Sequence, residues 1–146
     1  MIAIVDYGVG NLFSLRSSLA KLGLEAAVTA DPGVIRKADR LILPGVGAFA
    51  DAMEKLEATG LVPVLQEEAK TKPLLGICLG MQLLFERSYE YGTHAGLGLI
   101  PGEVCPLEPD LTDKSLKVPQ IGWNALHIVR EDPLFRYIQE GEYVYY

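Results

Sequence analysis

Cysteine is scarce in this chain. Cys78 and Cys105 are the only two in 146 residues, too few for the disulfide framework that staples small secreted domains. Histidine also occurs only twice, and no Cys–Cys or Cys–His spacing matches a zinc site. Neither a metal nor a cofactor is therefore expected. No apolar run approaches the roughly 20 residues that a membrane helix requires. The start, Met1-Ile2-Ala3-Ile4-Val5-Asp6, lacks the basic segment of a signal peptide. These absences predict a cytoplasmic protein with no membrane contact. Basic residues are in deficit, with 13 Lys and Arg against 19 Asp and Glu for a net charge of −6. That balance argues against a nucleic-acid surface, which needs clustered cations to displace counterions from phosphates.

What remains is an ordinary globular composition, 49% hydrophobic and 22% charged, at a length suited to one domain. Short apolar runs alternate with helical patterns. Ile2–Val5, Leu24–Thr29, Leu41–Leu43 and Pro73–Ile77 read as strands buried on both faces. Between them, Leu12, Leu15, Leu19 and Leu22 fall on one helical face before Gly23. Asp31-Pro32 opens a second helix, and others begin near Phe49 and at Val64–Ala69. The pattern predicts an α/β fold with a doubly wound, mostly parallel sheet. After about Ser88 the chain becomes rich in Gly, Pro and acidic residues. Strands are expected there at Leu97–Ile100, Leu116–Pro119, Ala125–Val129 and Tyr143–Tyr146. No convincing linker divides residues 1–146, which read as a single domain. A last strand that runs into Tyr146 leads to the expectation of a fold incomplete at its C-terminus.

The strongest chemical signal is Gly76-Ile77-Cys78-Leu79-Gly80. It follows an apolar strand and opens a helical pattern through Met81, Leu84 and Phe85, the setting of a nucleophile elbow. Glycines flank the nucleophile because the tight turn leaves no room for side chains. The elbow puts the Cys78 sulfur at a helix N-terminus, whose dipole and free amides suit a thiolate and a developing oxyanion. Gln82 follows one helical turn later on the same face. Pro44-Gly45-Val46-Gly47-Ala48-Phe49 makes a glycine-rich loop at the C-terminal edge of the sheet, where sites of doubly wound folds lie. Gly8-Val9-Gly10 after the first strand holds Phe13 at the third glycine position of a dinucleotide fingerprint and reads as a tight turn. Asn11 stands where it caps the following helix. Trp123, the only tryptophan, lies in an expected loop as a candidate interface anchor.

Gly76-Ile77-Cys78-Leu79-Gly80-Met81-Gln82 resembles the nucleophile motif of class-I glutamine amidotransferases. Asp6-Tyr7-Gly8-Val9-Gly10-Asn11, Leu43–Phe49 and Pro119-Gln120-Ile121-Gly122-Trp123-Asn124 narrow the resemblance to the glutaminase subunit of imidazole glycerol phosphate synthase. The match runs along nearly the whole chain. It implies a flavodoxin-like fold and a glutaminase with Cys78 as nucleophile. It also implies an oxyanion hole at Gly45, Val46, Gly47 and Leu79, with glutamine held by Gly47, Leu79 and Gln82. The ammonia would pass to a (β/α)8-barrel cyclase subunit in histidine biosynthesis, with Asn11, Gln120 and Trp123 at that interface. Gln120 departs from relatives, which often carry His there.

Attack on a carboxamide also needs a general base, normally a His oriented by an acid. His94 reads as a loop residue and His127 as an outward-facing strand residue, neither suited to that role. In the resembled family the His and Glu follow a segment like Glu142–Tyr146, so this chain is expected to be inactive or nearly so. Cys105 has no elbow and reads as an incidental thiol. The alternatives at this point are the glutaminase of another synthase, such as the anthranilate type, and a silent fragment that binds the cyclase.

Overall fold

The apolar run Ile2–Val5 forms strand β1, buried along its whole length, in a computed structural model that describes residues Met1–Tyr146. Parallel neighbours flank it on both sides, β2 (Ala26–Thr29) and β3 (Arg40–Leu43), with β4 (Leu74–Gly76) beyond β3. The order β2-β1-β3-β4 is that of a doubly wound sheet. The direction of winding reverses between β1 and β3, which opens a crevice at their C-terminal ends. Alternation along β1 serves both faces of the sheet. Ile2 and Ile4 point with Ile42 into one cluster, whereas Ala3 and Val5 join Leu41 and Leu43 in the other.

Helices cover the two faces. Helix α1 (Leu12–Lys21) starts at Asn11, whose side chain accepts from the Ser14 amide at 3.2 Å, the N-cap expected from the sequence. Leu12, Leu15 and Leu19 pack on Ile2, Ile4 and Ile42. Leu22, the fourth of the predicted stripe, lies past the helix end and is 73% exposed. The opposite face receives α2 (Pro32–Lys37), α3 (Phe49–Ala58) and α4 (Val62–Glu68). Their buried Ile35, Phe49, Leu56 and Leu65 complete the main core.

The sequence reading departs from the structure after β4. Helix α5 (Leu79–Gln82) is a single turn, and strand β5 (Phe85–Ser88) begins where a longer helix was expected. The reason is non-local. The carbonyls of Leu83 and Leu84 accept from the amides of Leu97 (2.8 Å), Leu99 (2.8 Å) and Ile100 (2.9 Å), so they are not available to a helical ladder. β5 pairs antiparallel with β6 (His94–Ala95) and parallel with β7 (Ile100–Val104). The strand expected at Leu97–Ile100 is thus displaced to Ile100–Val104, with Leu97 buried as an anchor ahead of it.

Residues Met1–Pro106 and Leu107–Tyr146 form two compact units. The second holds the antiparallel pair β8 (Trp123–Ala125) and β9 (Tyr143–Tyr145). Trp123 therefore lies in a strand rather than a loop, with its ring edge-on to Tyr145 at 5.5 Å. The strand expected at Leu116–Pro119 does not form, in keeping with the missing amide of Pro119. The one expected at Ala125–Val129 stops at Ala125. Beyond it, a side chain takes the backbone donor: the Ile128 amide bonds to the Glu140 carboxylate at 2.7 Å. No helix in either unit is long and apolar enough to cross a membrane.

Candidate active site

Three segments leave the C-terminal ends of β1, β3 and β4: Asp6–Asn11, Pro44–Ala48 and Ile77–Cys78. Cys78 adopts φ 55° and ψ −119°, a backbone region that costs a non-glycine residue roughly 1–3 kcal/mol. The surroundings hold it there. The Ile77 amide bonds to the Leu43 carbonyl at 3.0 Å, and the Cys78 carbonyl accepts from Met81 and Gln82 at 3.0 and 3.2 Å. The flanking glycines are required sterically. A Cβ on Gly76 would lie 2.5 Å from the Met81 Cα, and one on Gly80 would run into the Leu43 carbonyl oxygen. The turn leaves the Cys78 thiol exposed, as an elbow should.

One turn of helix supplies little macrodipole, so the expected contribution of a long helix is absent, and one of the expected free amides remains. Gly80, Met81 and Gln82 donate to Ile77 and Cys78 carbonyls, whereas the Leu79 amide has no protein acceptor. Gly80→Ala is expected to destabilise the chain by about 3 kcal/mol or more, because the added methyl meets backbone on a neighbouring strand end. Gly47→Ala is expected to cost about 1 kcal/mol, since Gly47 (φ +97°) has nothing within 4 Å of its Cβ position. Urea unfolding midpoints of the two variants measure the difference.

The loop after β3 lies against the elbow. A Cβ on Gly45 would stand 2.5 Å from the Gly80 nitrogen and 3.0 Å from the Leu79 Cβ, so only glycine permits this approach. The amides of Gly45, Val46, Gly47 and Ala48 donate to no protein acceptor. Buried amides are rarely left so, and Gly45 is buried while Val46 and Gly47 are exposed. Gly45 of the expected oxyanion segment is thus packed on Leu79 and Gly80, the residues that follow Cys78.

Two residues that sequence reasoning did not single out hold this loop at its ends. The Tyr7 hydroxyl donates to the Pro44 carbonyl at 2.6 Å in a buried contact. Burial pushes the Tyr7 phenol up to about 12, so it stays a proton donor throughout the neutral range. At the other end the Glu90 carboxylate accepts from the Phe49 amide at 2.7 Å, capping α3, which has no cap of its own at Ala48. The sequence offered one signal for the first, a bulky aromatic beside the glycines of a tight turn. It offered none for the second.

The remaining candidates are dispersed. Gln82 closes α5 and is half-buried. His94 lies in strand β6 rather than a loop, its Nε2 buried without a partner. His127, expected in a strand, lies in irregular chain with its Nδ1 2.5 Å from the Glu140 carboxylate. The Ile128 amide and, secondarily, His127 hold the Glu140 carboxyl below the ordinary range. Cys105 is exposed and free. Gln120 and Trp123 are exposed in the second unit. A groove of about 350 Å³ lined by Gly8, Gly10, Val46, Gly47 and Lys55 marks the crevice between the β1 and β3 loops. A cavity of about 750 Å³ near Asp132, Arg136 and Glu140 is lined by neither cysteine nor histidine.

The family model for class-I glutamine amidotransferases matches residues 3–146. An imidazole glycerol phosphate synthase subunit HisH from Wolinella succinogenes is 50% identical over 100% of this chain and 72% of its own length. The HisH subunit of Bacillus cytotoxicus is 52% identical, over 100% of this chain and 68% of its own. A crystal structure of a glutamine amidotransferase superposes with a TM-score of 0.62 at 20% identity, covering 72% of this chain and 56% of the other. That likeness concerns the fold alone. Matched in family model and in sequence over its full length, the chain belongs to the class-I glutamine amidotransferases and, within them, to the imidazole glycerol phosphate synthase subunit HisH family.

Proposed function

We propose that the chain carries the glutamine-hydrolysing chemistry of an imidazole glycerol phosphate synthase in histidine biosynthesis, with Cys78 as nucleophile. The single observation that carries this reading is the packing of Gly45 on the Leu79–Gly80 peptide. It gathers amides without acceptors beside an exposed thiol on a strained elbow. The Cys78 thiolate attacks the side-chain carboxamide carbon of glutamine, and the electron pair moves onto the carboxamide oxygen. The amides of Leu79 and of Gly45, Val46 and Gly47 bind that oxyanion. Its collapse expels the nitrogen as ammonia, protonated by a general acid, and leaves a γ-glutamyl thioester. Water then cleaves the thioester to glutamate and restores the thiol. Gly47, Leu79 and Gln82 hold the substrate.

The partner in this reading is a (β/α)8-barrel cyclase that consumes the ammonia. Asn11, Gln120 and Trp123 contact it, and the 67% exposure of Trp123 suits an aromatic anchor. No side chain hydrogen-bonds the Cys78 sulfur, so the base that the chemistry requires is not in place. Residues 1–146 by themselves are accordingly expected to release glutamate roughly 10³-fold more slowly, or worse, than a glutaminase with its base in place. Glutamate release by this chain and by the Wolinella succinogenes protein, each with and without cyclase, tests this. Comparable rates would overturn the missing-base account. His94 or His127 would then have to be reconsidered as the base.

A further inference from the structure

Tyr7 lies outside both the elbow and the glycine-rich loop, yet its hydroxyl is committed to that loop's backbone. The side chain is 4% exposed and spends its only donor on the Pro44 carbonyl, 37 residues away in sequence, at 2.6 Å. That carbonyl belongs to the Pro44–Gly45 peptide, whose nitrogen is the first in the run of amides without acceptors. A peptide is planar, so holding its C=O also sets the direction of its N–H. The same proline is braced by the β1 loop: a Cβ on Gly10 would stand 2.8 Å from the Pro44 Cβ. Phenylalanine at position 7 would fill the same volume but could not hold the carbonyl.

We propose that Tyr7 is a positioning residue for the oxyanion hole: its hydroxyl orients the Pro44–Gly45 peptide and, through it, the Gly45–Gly47 amides toward the charge that develops on the carboxamide oxygen. The assignment rests on the glutaminase reading above. It separates two kinds of reactivity at Cys78. Alkylation by a glutamine-derived diazoketone, in which the diazo carbon takes up the thiol proton and a sulfur–carbon bond forms as dinitrogen leaves, passes through a carbonyl that the hole polarises. Alkylation by iodoacetamide needs only an accessible thiolate.

The test is saturation kinetics of Cys78 labelling in this chain and in Tyr7→Phe, with iodoacetamide in parallel. Tyr7→Phe is expected to lower the maximal diazoketone rate roughly 10-fold. The iodoacetamide rate should stay within about twofold, because thiol access does not involve the hydroxyl. A merely structural role would instead lower the unfolding midpoint and leave both labelling rates unchanged. Gly10→Ala, which pushes on Pro44 by a separate route, is expected to give the same rate signature and carries the test if Tyr7→Phe does not fold. Equal maximal diazoketone rates in the folded variants overturn the assignment, as does a parallel loss of iodoacetamide reactivity. If the unsubstituted chain reacts with iodoacetamide but shows no saturable diazoketone labelling, the glutaminase reading itself fails, and the Tyr7 assignment with it.

Discussion

In a protein that joins this chain to the general base, bound to the cyclase, Cys78→Ala is expected to lower glutamine-dependent synthesis at least ~10⁴-fold, while synthesis from free ammonia continues. The size of the effect follows from the role. A nucleophile cannot be replaced by its neighbours, and the oxyanion amides have nothing to stabilise until a sulfur–carbon bond begins to form. The cyclase half-reaction does not use the thiol, so supplying ammonia bypasses the defect. Alanine keeps a Cβ at the strained position, and the backbone bonds from Ile77, Met81 and Gln82 do not involve the sulfur. The unfolding midpoint should therefore hardly move. Loss of both activities together would point to collapse of the elbow instead.

Gly47→Val in the same complex is expected to reduce glutaminase turnover by ~10²–10³, the usual cost of losing one oxyanion donor. Gly47 has φ +97° and open space around its Cβ position, so valine meets no steric wall. It instead drives the backbone out of the left-handed region. The consequence is a turned peptide and a misdirected amide rather than an unfolded protein. Gly45→Val makes a poorer probe, because its side chain would strike the Leu79–Gly80 peptide and disturb the fold along with the site. A glutaminase rate near normal in a folded Gly47→Val protein would remove this loop from the proposed mechanism.

Both predictions depend on features that were readable from sequence because their causes are local. Unbroken apolar runs such as Ile2–Val5 identify strands buried on two faces, and glycines at 76 and 80 mark a turn too tight for side chains. The Asn11 and Asp31 caps follow from short polar side chains at helix starts. What was not readable depends on distant partners. Periodicity through Leu84 and Phe85 favours helix, but amides from Leu97, Leu99 and Ile100 draw those carbonyls into other bonds. Tyr7 and Glu90 reach the glycine-rich loop across separations of 37 and 41 residues, and no pattern along the chain announces such contacts. His127 looked like part of an alternating strand, yet the Glu140 carboxylate takes the adjacent Ile128 amide, and the ladder ends before it.

The account stands most directly on the identity of the reactive sulfur. The chain offers two free, exposed cysteines, and only Cys78 stands on a glycine-flanked, strained elbow. After reaction with a limiting amount of the glutamine-derived diazoketone, mass spectrometry of the intact chain and then of its peptides locates the adduct. The expected result is one adduct per chain, on the peptide containing Cys78, suppressed by excess glutamine. An adduct mainly on Cys105, or one shared between the two thiols and indifferent to glutamine, would contradict it.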